Sequence, residues 1–253
     1  MKVYIYTIPK AGTYFIAEFL ERLGFNNTGF HINQKRFLDT KKFGLVENAR
    51  TPSLAMVEQP FMKTIRSMKD NDLAFGHFPL PLMAWLNPQF QFVCAYRHPR
   101  KTLVSEFVDF RFRRSDVPWI SREKVADDRE AFTLFLEKQG ANHATIFSQM
   151  LAISMLVSEP LCTMFPESKF HFLNFDRLIS NSGIAVELAQ SLGVWTDNIE
   201  EIHAATLLAE TKTKAGDIEF DRDAIWSVAS EEKYAQFKFE DYVQRGQDFG
   251  WTF

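Results

Sequence analysis

Val3-Tyr4-Ile5-Tyr6-Thr7, then Ile8-Pro9-Lys10-Ala11-Gly12-Thr13, then Phe15, Ile16, Phe19, Leu20 and Leu23 ahead of Gly24: this opening stretch decides the fold. The first run has strand length, the Pro- and Gly-containing segment is a loop, and the apolar positions that follow repeat at helical spacing, with Gly24 placed to end the helix. A strand, a loop and a helix in immediate succession open a parallel α/β sheet. Working outward, Phe90 to Tyr96 is a continuous apolar run, as expected of a strand buried on both faces. It leads into Arg97-His98-Pro99-Arg100 and a helix from about Lys101 to Phe110. Asp72 to Phe78 reads as a short strand stopped by Pro79 and Pro81, and Lys169 to Phe175 as another buried strand, ahead of a helix near Gly183 to Leu192. Phe132 to Val157 reads as two helices, residues 111–130 as a long charged excursion, and the last third as mostly helix and loop. The predicted architecture is a central parallel sheet flanked by helices, in one domain over residues 1–253.

Composition narrows the function classes. A length of 253 residues with 46% apolar content fits one α/β domain and excludes wholesale disorder, a collagen-like repeat or a coiled coil. The net charge of −3 argues against a protein whose main work is gripping nucleic-acid backbone, while leaving room for a local basic site for a phosphorylated ligand. Two cysteines, Cys94 and Cys162, are too few for a disulfide framework or a four-sulfur metal site and read as buried thiols of a reducing compartment. The first residues are too quickly followed by charge for a signal peptide, and no run is long and apolar enough to span a membrane. The expectation is a cytoplasmic protein. Most of the 26 phenylalanines must be core, and a minority are available to line an apolar acceptor pocket.

The loop Ile8 to Thr13 is a physical anion trap. Unpaired N–H groups at a helix start point outward, the helix dipole adds partial positive charge, and Lys10 stands beside them. A plain connecting loop with a surface lysine is the competing reading. A nucleoside-triphosphate P-loop fits poorly, because Gly12 is followed by Thr13 and Tyr14 and no lysine immediately precedes the helix-start threonine. Asp176, after the run ending at Phe175, is the sole carboxylate at a strand end that suggests a metal-holding position.

Pro9-Lys10-Ala11-Gly12-Thr13-Tyr14-Phe15 resembles the 5′-phosphosulfate loop of sulfotransferases. Tyr96-Arg97-His98-Pro99-Arg100-Lys101-Thr102-Leu103-Val104-Ser105 resembles their 3′-phosphate motif, an Arg at a strand end with a Ser eight residues on. Gly76-His77-Phe78-Pro79-Leu80 resembles the segment that carries the catalytic base in cytosolic members, and Lys212 to Asp217 a degenerate form of their late basic loop. The four matches keep the family's order and cover most of the chain.

The resemblance implies a P-loop NTPase-like sulfotransferase fold and transfer of a sulfuryl group from 3′-phosphoadenosine 5′-phosphosulfate (PAPS) to an acceptor hydroxyl or amine. The product would be 3′,5′-bisphosphoadenosine (PAP), and no metal would be required. It implies that Lys10 neutralises charge developing on the leaving phosphate oxygen, that Lys10, Ala11, Gly12, Thr13 and Tyr14 hold the 5′-phosphate, and that Phe15 packs on adenine. Arg97 and Ser105 would grip the 3′-phosphate with Lys212 and Lys214 closing over it, and His77 would be the general base. Standing alone, a histidine beside Phe78 and Pro79 reads more readily as a packing residue, an order that the resemblance reverses, and His31, His143, His171 and His203 read as structural. His98 would orient its loop.

The sequence also departs from the family. The cytosolic members' lysine two residues before the base is replaced by Phe75, Phe175 lacks their tyrosine's hydroxyl, and Thr211-Lys212-Thr213 stands where they have Arg-Lys-Gly. These differences indicate a divergent, bacterial-style branch. Arg111, Arg113, Arg114 and Trp119 lie near the acceptor's entry, as a lid, an acceptor-recognition element or a solvated loop. The alternatives to sulfuryl transfer are a P-loop nucleotide kinase and a non-catalytic module that binds 3′,5′-bisphosphoadenosine. A sugar, a lipid and a small molecule are all compatible as acceptor.

Overall fold

The computed structural model describes residues 1–33, 36–39, 67–77, 89–114, 117–158, 169–209, 218 and 220–253. Strand β1 (Lys2–Thr7) runs parallel between β4 (Asp72–Gly76) and β5 (Phe90–Tyr96). Beyond β5 lies β6 (Lys169–Asn174), and beyond β4 lies β2 (Asn26–Asn33), both parallel to their neighbours. A sixth strand, β3 (Arg36–Asp39), pairs antiparallel with β2 at the edge, giving the order β3-β2-β4-β1-β5-β6.

Each central strand is buried on both faces, and alternate residues enter two cores. Val3, Ile5, Phe75, Val93 and Ala95 face α1 (Thr13–Arg22) together with the later helices α5 (Ser182–Ser191) and α6 (Ile199–Leu208). Tyr4, Tyr6, Phe92, Cys94 and Tyr96 face α2 (Pro99–Phe112), α3 (Asp128–Ser158), α7 (Val228–Gln236) and α8 (Phe239–Asp248). The short α4 (Phe175–Ser180) follows β6 directly. The three-layer arrangement is the α/β class expected. Cys94 is the buried thiol predicted; Cys162 lies outside the described residues.

Several expectations need correction. Residues 128–158 form one helix of 31 residues, not two. Gly140 lies inside this helix close against another element: a Cβ there would lie 2.2 Å from the Phe237 ring. Strand β4 stops at Gly76, so His77 leaves the sheet edge rather than belonging to the strand, and Phe78 lies outside the described residues. The 111–130 stretch is less irregular than its composition suggests, since Arg111 and Phe112 close α2 and Asp128 opens α3. Arg111 is buried, paired with Asp128, and donates to the carbonyls of Ile120 (2.7 Å) and Ala126 (3.2 Å). It pins the segment from inside and does not face an acceptor. Strands β2 and β3 have no counterpart in the sequence reading.

Register places the carboxyl ends of four strands together. Tyr6 stands opposite both Gly76 and Cys94, Thr7 opposite Ala95, and Tyr96 opposite Asn174. The segments leaving these ends therefore share one edge, where open parallel sheets bind ligands. They are the Ile8–Gly12 loop, His77, Arg97 and Phe175.

Candidate active site at the carboxyl edge of the sheet

The loop after β1 is built by a turn in which Ala11 N–H donates to the Ile8 carbonyl at 3.0 Å. Lys10 holds a left-handed φ of 64°, the turn position that normally favours glycine. Gly12 follows with φ 82°, and α1 starts there, with Ile16 N–H donating to the Gly12 carbonyl at 2.9 Å. No side chain caps the helix, so the amides of its first turn, at Thr13, Tyr14 and Phe15, have no partner within it. Ala11 serves the turn rather than a ligand, because its N–H is already used. Gly12 is required for a second reason: a Cβ there would sit 2.1 Å from the Phe175 ring.

Lys10 points toward α2, where its Nζ lies 3.4 Å from Asp109 Oδ1. Lys101, Ser105 and Asp109 recur every fourth residue along α2 and so share one face. At the other end of that face Lys101 meets Asp176 at 3.0 Å. Half-buried Ser105 thus lies between contacts to Lys10 and to Asp176.

Arg97 enters the same space. Its Nε and Nη2 donate to Asp176 Oδ1 at 3.0 and 2.9 Å, and its Nη1 reaches the Lys10 carbonyl at 3.5 Å. Among the described residues this leaves N–H groups on the terminal nitrogens for a further anion. The guanidinium also lies over the Phe175 ring, 5.6 Å from its centroid. Burial alone would raise the Asp176 carboxyl, but hydrogen bonds and charge from Arg97 and Lys101 outweigh it and hold it below the usual carboxylate range. Asp176 is therefore a partner of two cations, which removes it as the free metal-holding carboxylate its sequence position suggests. Phe15 turns its ring into the core, 5.9 Å from both Phe175 and His203. It supports Phe175 and does not offer a free face to a base.

His77 is tied to the loop after β1. Its Nδ1 lies 3.0 Å from the Thr7 carbonyl and 3.1 Å from Thr7 Oγ1, which in turn lies 2.5 Å from Thr13 Oγ1. The carbonyl can only accept, so Nδ1 carries the proton and Nε2 is left with a lone pair. Burial, more than any other influence, lowers the pKa of His77. The Thr7 hydrogen bond and the Glu106 charge oppose that fall, and Lys10 and His143 add to it.

Glu106, on the next α2 position after Ser105, is paired with the fully buried His143 of α3. Burial would raise its carboxyl, yet His143, Lys10 and His77 hold it below the ordinary value. His31 lies beside His77, ring centroids 5.0 Å apart. Thr7, Glu106, Asp109 and the Asp176 pairing have no site role in the sequence reading, which takes His31 as structural. Only Thr7, the last residue of the first strand, carries a signal that could have found it. His98 caps α2 through Nδ1, which accepts from Arg100 N–H at 3.3 Å. His203 and His171 are structural, bonded to the Leu178 carbonyl and to Gln91 respectively. Lys212 and Lys214 lie outside the described residues. Among the described residues no helix is long and apolar enough to cross a membrane, and no three potential ligands cluster to hold a metal ion.

The comparisons with known proteins agree with this layout. No curated protein sequence matches. Among solved structures, the mouse sulfotransferase SULT7A1 complexed with PAP superimposes with a TM-score of 0.56 at 13% identity, over 94% of this chain and 83% of that one. That likeness gives the fold, the P-loop-like fold of sulfotransferases. The family model described as the sulfotransferase domain matches residues 1–244. With nearly the whole length matched, the chain belongs to the sulfotransferase domain family.

Proposed function

We propose that this sulfotransferase takes its sulfuryl group from PAPS and delivers it to an acceptor hydroxyl or amine, with His77 as general base. The observation that carries the reading is the convergence on one sheet edge of an uncapped helix start, Lys10, Arg97 and His77, tied together through Thr7 and the Lys10 carbonyl. The donor set fits a ligand with two phosphates: the amides of the helix start and the Thr13 hydroxyl at one point, the Arg97 guanidinium and Ser105 at another. When bound, PAPS would supply an activated sulfuryl group next to a 5′-phosphate that leaves.

In this reading the amides of Thr13, Tyr14 and Phe15 hold the 5′-phosphate, and Arg97 and Ser105 the 3′-phosphate. Lys212 and Lys214 are assigned to that phosphate by resemblance. Lys10 swings from Asp109 to the oxygen on which charge develops. His77 accepts the acceptor's proton at Nε2, its ring orientation fixed by the Thr7 carbonyl. We extend the reading to the whole chain as one domain of residues 1–253, with residues 111–130 on its acceptor side.

A thermal-shift comparison tests the proposal. PAP at 100 times its dissociation constant should stabilise the protein by about 2.7 kcal/mol, with AMP much weaker and Mg-ATP inert. Arg97→Ala should weaken PAP binding by about 1.5–3 kcal/mol, the range for hydrogen bonds to charged groups. Stabilisation by Mg-ATP alone, or equal response to PAP and AMP, would reject the assignment in favour of a phosphoryl-transfer enzyme or an unselective nucleotide site.

The base makes a pH prediction. The reaction needs neutral His77, and its pKa lies below the ordinary 6.5, so the acid limb of kcat/KM should be centred below pH 6.5. Glu106 raises that pKa, so Glu106→Gln should move the acid limb further down. An acid limb centred above pH 7, or an upward shift in the variant, places the base elsewhere.

A further inference from the structure

We propose that His31 is a second substrate-contacting residue, whose Nε2–H holds the oxygen of a hydroxyl acceptor while His77 takes that hydroxyl's proton. The assignment rests on the sulfuryl-transfer reading and narrows its acceptor from hydroxyl or amine to hydroxyl.

A bulge aims His31. Asn27 of β2 stands opposite Leu73 of β4, but His31 stands opposite Phe75, so four positions on β2 span two on β4. Gly29 takes φ 75° within the bulge, and Thr28 Oγ1 donates to the Leu73 carbonyl at 2.7 Å. Bulges of this kind redirect side chains beside active sites. Here the result is an imidazole at the carboxyl edge, 5.0 Å from the His77 ring and at 77° to it.

The hydrogen bonds fix which nitrogen carries the proton. Tyr14 Oη lies 3.4 Å from His31 Nδ1. Burial pushes the Tyr14 phenol up to about 12, so it keeps its proton; among the described residues His31 Nδ1 is the one hydrogen-bond partner of that hydroxyl, and we assign the O–H as the donor in this contact. Burial and His77 lower His31 to about 3, so it stays neutral. Nδ1 therefore accepts, and the single ring proton sits on Nε2. That Nε2 is buried and among the described residues has no hydrogen-bond partner, and a buried donor in this condition calls for an explanation.

Side by side, the two neutral histidines differ. His77 offers a lone pair at Nε2 and His31 an N–H. A hydroxyl is donor and acceptor at once and satisfies both. An alkylammonium has only donors, so it leaves the His31 N–H opposed by N–H groups and brings a positive charge toward Lys10, whose charge already acts on His77.

Two measurements test this. Long-range ¹H–¹⁵N correlation on the histidine-labelled protein, with His31→Gln to assign the signals, should show His31 neutral with its proton on Nε2 at pH 6–7. Turnover of ³⁵S-labelled PAPS is then measured at pH 7 with two matched pairs, 1-hexanol against hexylamine and phenethyl alcohol against phenethylamine. The wild type should favour the alcohols by about tenfold or more, His31→Phe should lose about tenfold in kcat/KM for the alcohols, and His31→Gln, which restores an N–H, should recover most of it. PAP binding should be the same in all three proteins. A His31 proton on Nδ1, turnover confined to the amines, or an alcohol-to-amine ratio unmoved in His31→Phe overturns the assignment. If no probe turns over, the tautomer alone decides. A wild type that does not bind PAP defeats the sulfuryl-transfer reading itself.

Discussion

Lys10→Ala should lower turnover of labelled PAPS by roughly a hundredfold, the usual cost of removing one preorganised group aimed at developing charge. The structure adds a second contribution. Lys10 Nζ is the near partner of Asp109, with Arg113 further off at 3.8 Å, so the alanine variant leaves a carboxylate facing the phosphate loop. Lys10→Ala with Asp109→Asn separates the two effects, since the second change removes the stranded charge and not the missing cation. Donor affinity should recover in the double variant while turnover stays low. Single-turnover kinetics read both quantities. A loss smaller than about tenfold in the single variant would take Lys10 out of the mechanism.

Gly12→Ala is the second large effect, and it acts through the backbone. The residue sits at φ 82°, where a side chain is strained, and its new Cβ would meet the Phe175 ring at 2.1 Å. The ring has to move, and moving it disturbs both the Arg97 guanidinium lying over it and the edge contact with Phe15. We expect a loss of about 1–3 kcal/mol in stability and at least about tenfold in PAP affinity. Phe175→Leu combined with Gly12→Ala removes the ring collision and leaves the φ strain, so it should regain part of the stability. Calorimetric melting with and without PAP measures both. A Gly12→Ala protein that melts and binds like the wild type would mean that the helix start is not the phosphate site.

The parts of the molecule legible in the sequence are those written locally. Strand β5 is visible because seven buried residues in a row leave no other reading. The β1 loop is visible because Pro9, Lys10, Gly12 and Thr13 are neighbours along the chain. Strand β2 is not visible: Asn26-Asn27-Thr28-Gly29 contains no apolar run, and the strand is held by pairing with β4 and by side-chain bonds such as Asn26 to Asp72. The division of Phe132 to Val157 into two helices fails because α3 runs unbroken, and Gly140 within it packs against Phe237, far away in sequence. The same holds within the site. Lys10, Arg97 and His77 belong to short motifs, whereas Asp109, Glu106 and His31 matter only because packing brings three other elements to the same place. His31 and His143 looked like isolated core histidines, and only their neighbours show otherwise.

The β2 bulge also bears on how such a site diverges. Side chains on a strand alternate between faces, so losing a single residue from Asn27–His31 would turn the imidazole to the opposite side of the sheet without changing any residue that touches the donor. In the proposed reading the 5′-phosphate is held by the loop after β1, a central strand with unshifted ladders on both sides, where an insertion or deletion would break two ladders at once. His31 stands on β2, one strand in from the edge, and the register shift between Asn27 and His31 shows that its ladder with β4 accommodates extra length. New acceptor preferences in this lineage should therefore arise through changes of length near Gly29 more readily than through point substitutions at the donor site.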